Sequence, residues 1–221
     1  LRDIGDAIAV ALTDHGLQPG DRVGLWLDSG PWFCAIDMGC LIAGFVDAPI
    51  LRNHSPVHVA DCMRRIRAKI LFVQEQEQAE SLRQLRGDES LPEGLEIFVV
   101  GTDVDTLVER GREAVQRDPS RTEAMRERID PTDLATILFT SGTTGEPRGV
   151  ELTHENLSAN ALSSFAGLTR RLKVEQVQAL SVLPLAHAFE RTLQYGHLHA
   201  GHTVWFGSPD RMAEDLLEIR P

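Results

Sequence analysis

The stretch from Thr140 to Gly149 reads TSGTTGEPRG, and its first six residues are all serine, threonine or glycine. Such a run has almost nothing to pack into a core. It offers hydroxyl donors at Thr140, Ser141, Thr143 and Thr144, and one fixed positive charge at Arg148. Its glycines, Gly142, Gly145 and Gly149, tolerate unusual backbone angles and let a ligand touch the main chain. That combination suits an anion with many oxygens, and a polyphosphate fits it. Two familiar phosphate loops are excluded: the stretch is neither Gly-x4-Gly-Lys-Ser/Thr nor Gly-x-Gly-x-x-Gly. A glycine–threonine turn is also an ordinary way to leave a strand, so residue types alone leave both readings open.

Other reactive side chains have plainer readings. Cys34, Cys40 and Cys62 form no CxxC pair and no even-numbered framework, and read as small buried hydrophobes in a reducing compartment. His197, His199 and His202 cluster in HLHAGH, but without i, i+4 spacing or a nearby carboxylate or cysteine they read as helix-end histidines rather than metal ligands. Trp26, Trp32 and Trp205 lie in or beside apolar segments and read as core.

The elements that must position the loop alternate between strand and helix. Arg22–Leu27, Val46–Ile50, Lys69–Val73, Glu96–Val100, Leu134–Phe139, Ala179–Leu183 and Thr203–Phe206 carry strand patterns. Helices are expected from Pro31 to about Gly44, from Pro56, through the Gln/Glu-rich stretch to about Arg86, and in one or two charged pieces ending near Ile129. Further helices are expected at His154–Phe165 behind a Thr153 cap, at Leu185–His199 ahead of Gly201, and at Asp210–Ile219. Apolar strands alternating with helices predict an α/β fold, a mainly parallel sheet flanked by helices. In such a sheet ligands gather at the carboxyl ends of strands, where the Thr140 loop falls.

The chain has 221 residues and a formal net charge of −11, which argues against nucleic acid or an anionic surface held by general electrostatics. Residues 74–130 hold 15 of the 33 acidic residues and 8 of the 22 basic ones, so this segment carries −7 of the total and reads as a solvated face. No apolar run is long enough to cross a bilayer. The first residue is not methionine, and the chain stops just after a helical pattern, so a piece of a longer protein is expected.

FTSGTTGEPRGVELTH resembles the phosphate-binding signature of the adenylate-forming (AMP-binding, acyl-activating) enzymes: acyl-CoA synthetases, luciferases and peptide-synthetase adenylation domains. That pattern is an aromatic, Thr-Ser-Gly-Thr-Thr-Gly, any residue, then Pro-Lys-Gly-Val; the one departure is Arg148 at the lysine position. SVLPLAHAFERTLQYGHLHAG is similar to the long-chain fatty acyl-CoA synthetases, which carry Leu-Pro-Leu-Ala-His followed by Phe-Glu-Arg. The amino-terminal LTDHGLQPGDRVGLWLDSG also resembles that family.

The resemblance implies that Thr140, Ser141, Gly142, Thr143, Thr144, Gly145 and Arg148 bind the phosphates of ATP. It implies that His187 is associated with the acyl and adenylate pocket, with Phe189, Glu190 and Arg191 shaping its neighbourhood. On residue types alone His187 could instead cap its helix, and Glu190 and Arg191 could form an ion pair. The implied reaction of the parent enzyme joins a long-chain fatty acid to AMP and then to CoA, using ATP and Mg2+. Fatty acid, ATP and CoA are therefore the expected partners, and the oligomeric state is open. The expected location is cytoplasmic, with peripheral membrane contact the most that a greasy substrate implies. Residues 1–221 would be an incomplete AMP-binding amino-terminal domain, with no metal-binding residue of its own and no carboxy-terminal domain, and inactive by itself. A fatty acyl-AMP ligase serving a carrier protein and a non-catalytic nucleotide- or protein-binding module are the alternatives.

Overall fold

A computed structural model describes residues 1–87, 90–141, 147–169 and 177–220, with backbone only for Ser141 and residues 167–169. Six strands form the main sheet: β1 (Arg22–Trp26), β2 (Val46–Pro49), β3 (Ile70–Val73), β4 (Glu96–Val99), β5 (Leu134–Ser141) and β6 (Pro147–Thr153). Their order is β4-β3-β1-β2-β5-β6. The first five are mutually parallel, as the apolar runs predict, and β6 returns antiparallel to β5.

Short helices cover both faces because every strand from β1 to β3 is apolar or buried on both sides. On one face lie α1 (Arg2–Asp14), α2 (Pro31–Ala43) and α5 (Asp103–Arg117), whose Ile8, Leu12, Phe33, Ile36, Val104 and Val108 join Val23 and Phe72 in one core. The other face holds α3 (Pro56–Ile66) and α4 (Gln76–Arg83), which bury Val59, Met63 and Leu82 against Trp26 and Leu71. Cys34, Cys40 and Cys62 are all buried, as expected of small hydrophobes. A short helix α6 (Ser120–Glu127) completes the acidic segment, whose α5 is solvated on one side only: Val104, Leu107, Val108, Gly111 and Ala114 face the core.

The remaining chain forms α7 (His154–Thr169), β7 (Gln178–Ser181), α8 (Ala188–Ala200), β8 (Thr203–Phe206) and α9 (Met212–Ile219). Strands β7 and β8 pair in parallel as a separate two-stranded sheet.

Four differences from the sequence expectations have physical reasons. Helix α1 has no counterpart there; it is built on small residues and packs beside α2 and α5. Residues 147–153 form a strand although Pro147 and Gly149 are poor strand formers, because β6 is the sheet edge, where a missing N–H costs no ladder bond. Trp205 is not core: it is 47% exposed on the two-stranded sheet, its indole N–H donating to Gln178 at 2.9 Å. Finally, Pro209–Arg211 forms a 3-10 turn ahead of α9 rather than its first turn.

Candidate functional site

Strands β5 and β6 make a hairpin whose tip is the glycine–threonine loop. Gly142, Thr143, Thr144 and Gly145 lie outside the described residues, as does the side chain of Ser141. The two stems are described. Because directly paired residues share a face in an antiparallel ladder, Thr140 and Arg148, which are register partners, project to the same side at the base of the loop. The Thr140 hydroxyl donates to the Arg148 carbonyl at 3.4 Å, a long bond that fastens the stem. Arg148 is exposed and makes no ion pair among the described residues. A cation held at a loop base without an internal partner is available to an incoming anion.

Gly149 does something other than the sequence suggests. Within β6 it stands opposite Phe139 in ordinary strand conformation, and a Cβ there would meet Ile137 Cγ2 at 2.8 Å. Its service is close packing within the stem rather than an unusual backbone angle.

The second predicted segment approaches the same carboxyl edge. Beyond β1, Ser29 Oγ accepts the Leu185 N–H at 2.8 Å and donates to the Leu183 carbonyl at 3.3 Å, so a loop of the main sheet grips the turn before α8. Leu185 is buried in the core beside α1 and α2. His187 is the N-cap of α8: its backbone N–H reaches the Pro184 carbonyl at 2.9 Å, and its carbonyl accepts from Arg191 at 3.1 Å. The imidazole caps nothing and is exposed.

The three residues that follow diverge. Phe189 is 65% exposed, whereas Glu190 and Arg191 are buried. They do not pair with each other. Glu190 bonds the Ser181 hydroxyl at the end of β7. Arg191 bonds Asp37 on α2, Asp47 on β2 at 2.5 Å and Thr136 on β5 at 2.7 Å. Thr136 in turn donates to Asp47 at 2.6 Å, and the Tyr195 hydroxyl reaches both Asp37 oxygens at 3.0 Å. Burial pushes the Asp37 carboxyl up to about 8 even though Arg191 opposes the shift, because Asp47 adds a second negative charge. The two carboxylates hold Arg191 well above its ordinary value despite its burial.

Sequence reasoning missed Ser29, Asp37, Asp47, Thr136 and Tyr195. A signal existed for two of them: Asp37 interrupts the apolar run WFCAIDMGCLIA, and Asp47 interrupts FVDAPI. A carboxylate inside an apolar run is rarely buried unless it is paired.

Two of the cavities among the described residues lie elsewhere. An apolar cleft of about 270 Å³ opens between α2, α7 and α8, and a groove of about 650 Å³ runs between the hairpin's other face and Arg22, Arg65 and Arg67. Neither is lined by Thr140, Arg148 or His187. His197 and His202 face each other, Nδ1 to Nδ1, at 3.0 Å, with the Phe165 ring edge-on to His197, in keeping with helix-end histidines.

Comparison with known proteins shows the family. The chain is 31% identical over 234 residues to the peroxisomal long chain acyl-CoA synthetase 7 of Arabidopsis thaliana, covering 97% of this chain and 31% of that protein. It is 32% identical to long-chain-fatty-acid–CoA ligase FadD15 of Mycobacterium bovis, covering 96% and 35% respectively. The chain thus spans about a third of the length of these curated relatives. Among solved structures, the inhibitor-bound N-terminal domain of FACL13 from Mycobacterium tuberculosis superposes with a TM-score of 0.79 at 25% identity, over 99% of this chain and 52% of that one. A long-chain-fatty-acid–CoA ligase from Archaeoglobus fulgidus, at 21% identity, shares the fold with a TM-score of 0.80. The AMP-binding enzyme family matches residues 1–220, so the hairpin and the turn before α8 sit inside one continuous family match, and the chain belongs to that family.

Proposed function

We propose that the protein carrying this chain activates a long-chain fatty acid with ATP, first as acyl-AMP and then as acyl-CoA. Residues 1–221 would supply the first part of its amino-terminal domain. The observation that carries this reading is the pairing of Thr140 with Arg148 at the base of the Gly/Thr loop, with Arg148 unpaired among the described residues. In the first step a fatty carboxylate oxygen bonds the α-phosphorus of ATP, the α–β bond breaks, and pyrophosphate leaves. In the second, the CoA sulfur bonds the acyl carbon, its proton is released, and AMP leaves with the electron pair of the broken C–O bond.

Two anions must meet in the first step, so the demand on the protein is charge neutralisation and positioning. Loop hydroxyls, backbone amides and Arg148 would hold the β- and γ-phosphates, and His187 would border the acyl and adenylate pocket, flanked by Phe189 on the exposed side. Among the described residues no three His, Cys, Asp or Glu side chains converge as a metal cage. Magnesium accompanying the nucleotide would neutralise part of its phosphate charge, and none of these residues is assigned to it. Among the described residues no helix is long and apolar enough to cross a membrane. A cytoplasmic location with at most peripheral membrane contact is the reading we favour.

Fatty-acid-dependent exchange of pyrophosphate into ATP tests the assignment. The full-length protein is expected to catalyse it with palmitate-class acids, whereas the 221-residue chain alone is not. Robust exchange by the isolated chain would contradict the idea that it lacks part of the site, and no exchange by the full-length protein would sink the assignment itself.

A further inference from the structure

We infer that Arg191 is a positioning residue: from the buried side of β5 it fixes the phosphate hairpin against the helix that starts at His187. The inference rests on the nucleotide reading proposed above only for what the hairpin holds.

The geometry has three parts. Arg191 is 1% exposed, and its two terminal nitrogens are spent on protein groups: one on Thr136, the other on Asp37 and Asp47. A side chain so enclosed cannot reach a substrate. Its partners belong to three elements, α2, β2 and β5, so one guanidinium ties α8 to two strands of the main sheet and to the helix packed on them. A planar fork of donors is suited to this, since each nitrogen has a fixed direction.

The second part is the line along β5. Thr136, Leu138 and Thr140 alternate with Ile137 and Phe139, so Thr136 and Thr140 share a face. That face is the one on which Arg148 stands. Four residues of strand separate Thr136 from Thr140, roughly 13 Å at the usual rise. The Arg191 bond is thus made on the loop's own strand and face, two pleats below it. The third part is the helix end: Arg191 lies one turn from His187, and its N–H closes on the His187 carbonyl at 3.1 Å. One residue therefore sets the spacing between the turn before α8 and the base of the loop.

Replacing Arg191 outright would strand two buried carboxylates and could unfold the chain, so the test uses Thr136. Thr136→Val removes the hydroxyl through which Arg191 grips β5, and with it the Thr136 bond to Asp47, but leaves the Arg191 contacts with Asp37 and Asp47 in place. Thr136→Ser keeps the hydroxyl. In the full-length protein Thr136→Val is expected to raise KM for ATP on the order of tenfold, in line with the cost of small displacements at a reacting site. KM for the fatty acid should not change, and Thr136→Ser should restore the wild-type value. A merely structural lesion would instead lower kcat with both KM values fixed, and that result overturns the inference.

Amide hydrogen exchange gives a readout independent of activity. Protection at 134–141 and 147–153 should fall in Thr136→Val while β1 and β3 keep theirs. Unchanged protection in the hairpin overturns the brace. Loss of protection there in a protein without pyrophosphate exchange would support the brace while sinking the nucleotide reading, so the two can fail separately.

Discussion

At the scale of single residues, the decisive contrast is between two arginines. Arg148 is exposed at a loop base and has no ion pair among the described residues; Arg191 is enclosed and bonded to three side chains. Their chemistry is the same, and burial separates the proposed phosphate ligand from the brace. For Arg148→Ala in the full-length protein, loss of a charged contact to phosphate should raise KM for ATP by roughly 10- to 100-fold, equivalent to about 1.5–3 kcal/mol. Arg148→Lys, which restores the residue usual in resembling enzymes, should recover most of that. Steady-state kinetics with varied ATP checks both, and an unchanged KM in the alanine variant would mean that the loop is scaffold. Asp37 supplies the second residue-scale prediction. Its carboxyl is pushed up to about 8, so between about pH 4 and pH 8 the folded chain holds a proton that the unfolded chain has released. That contribution to stability is complete below about pH 4 and is lost as pH rises toward 8. Asp37→Asn should therefore flatten the fall in urea midpoint across that window, and identical pH profiles for variant and wild type would refute the assignment.

At the scale of elements, local rules fix ends while packing fixes positions. Helix α7 begins with a reciprocal cap: the Asn156 N–H reaches Thr153 Oγ1 at 3.2 Å, and the Thr153 N–H reaches Asn156 Oδ1 at 3.1 Å. Thr153→Ala should cost about 1 kcal/mol, the usual worth of such a cap, read as a lower denaturant midpoint at constant m-value. Further along, α7 and α8 meet where Gly196 faces the Phe165 ring so closely that an added Cβ would overlap it. Gly196→Ala should destabilise by about 1–3 kcal/mol through overpacking, and a thermal midpoint equal to wild type would show that Phe165 moves aside freely.

At the scale of the whole molecule, two regions differ in how completely they bury themselves. Strands β1, β2 and β3 of the main sheet are buried on both faces. The two-stranded sheet leaves Trp205 half exposed, and α9 buries none of its residues, with Leu217 77% exposed. Two strands are too few to support themselves in water, and the Arg191 cluster, the Ser29 grip on residues 183–185 and the packing of Leu185 and Phe206 on the main core attach this region to the main sheet. Glu190, bonded to Ser181, extends that attachment to β7.

The sequence by itself determined most of the elements and the parallel core. A strand such as ILFV, residues 70–73, is apolar throughout, and a chain that must bury both faces of a strand has few options beyond a covered parallel sheet. The unusual composition of the loop was equally legible, because six consecutive Ser, Thr and Gly residues are a local signature. The pairing of β6 was not legible: Pro147 and Gly149 suppress the strand pattern, and only an edge position makes them tolerable. Nor could the sequence say which of Glu190 and Arg191 binds what, since Asp37, Asp47 and Thr136 lie 55 to 154 residues away along the chain. Those contacts exist because the stacking of strands and helices brings distant carboxylates to one buried point. Whether an arginine faces water or carboxylates is decided by that stacking, and no local pattern encodes it.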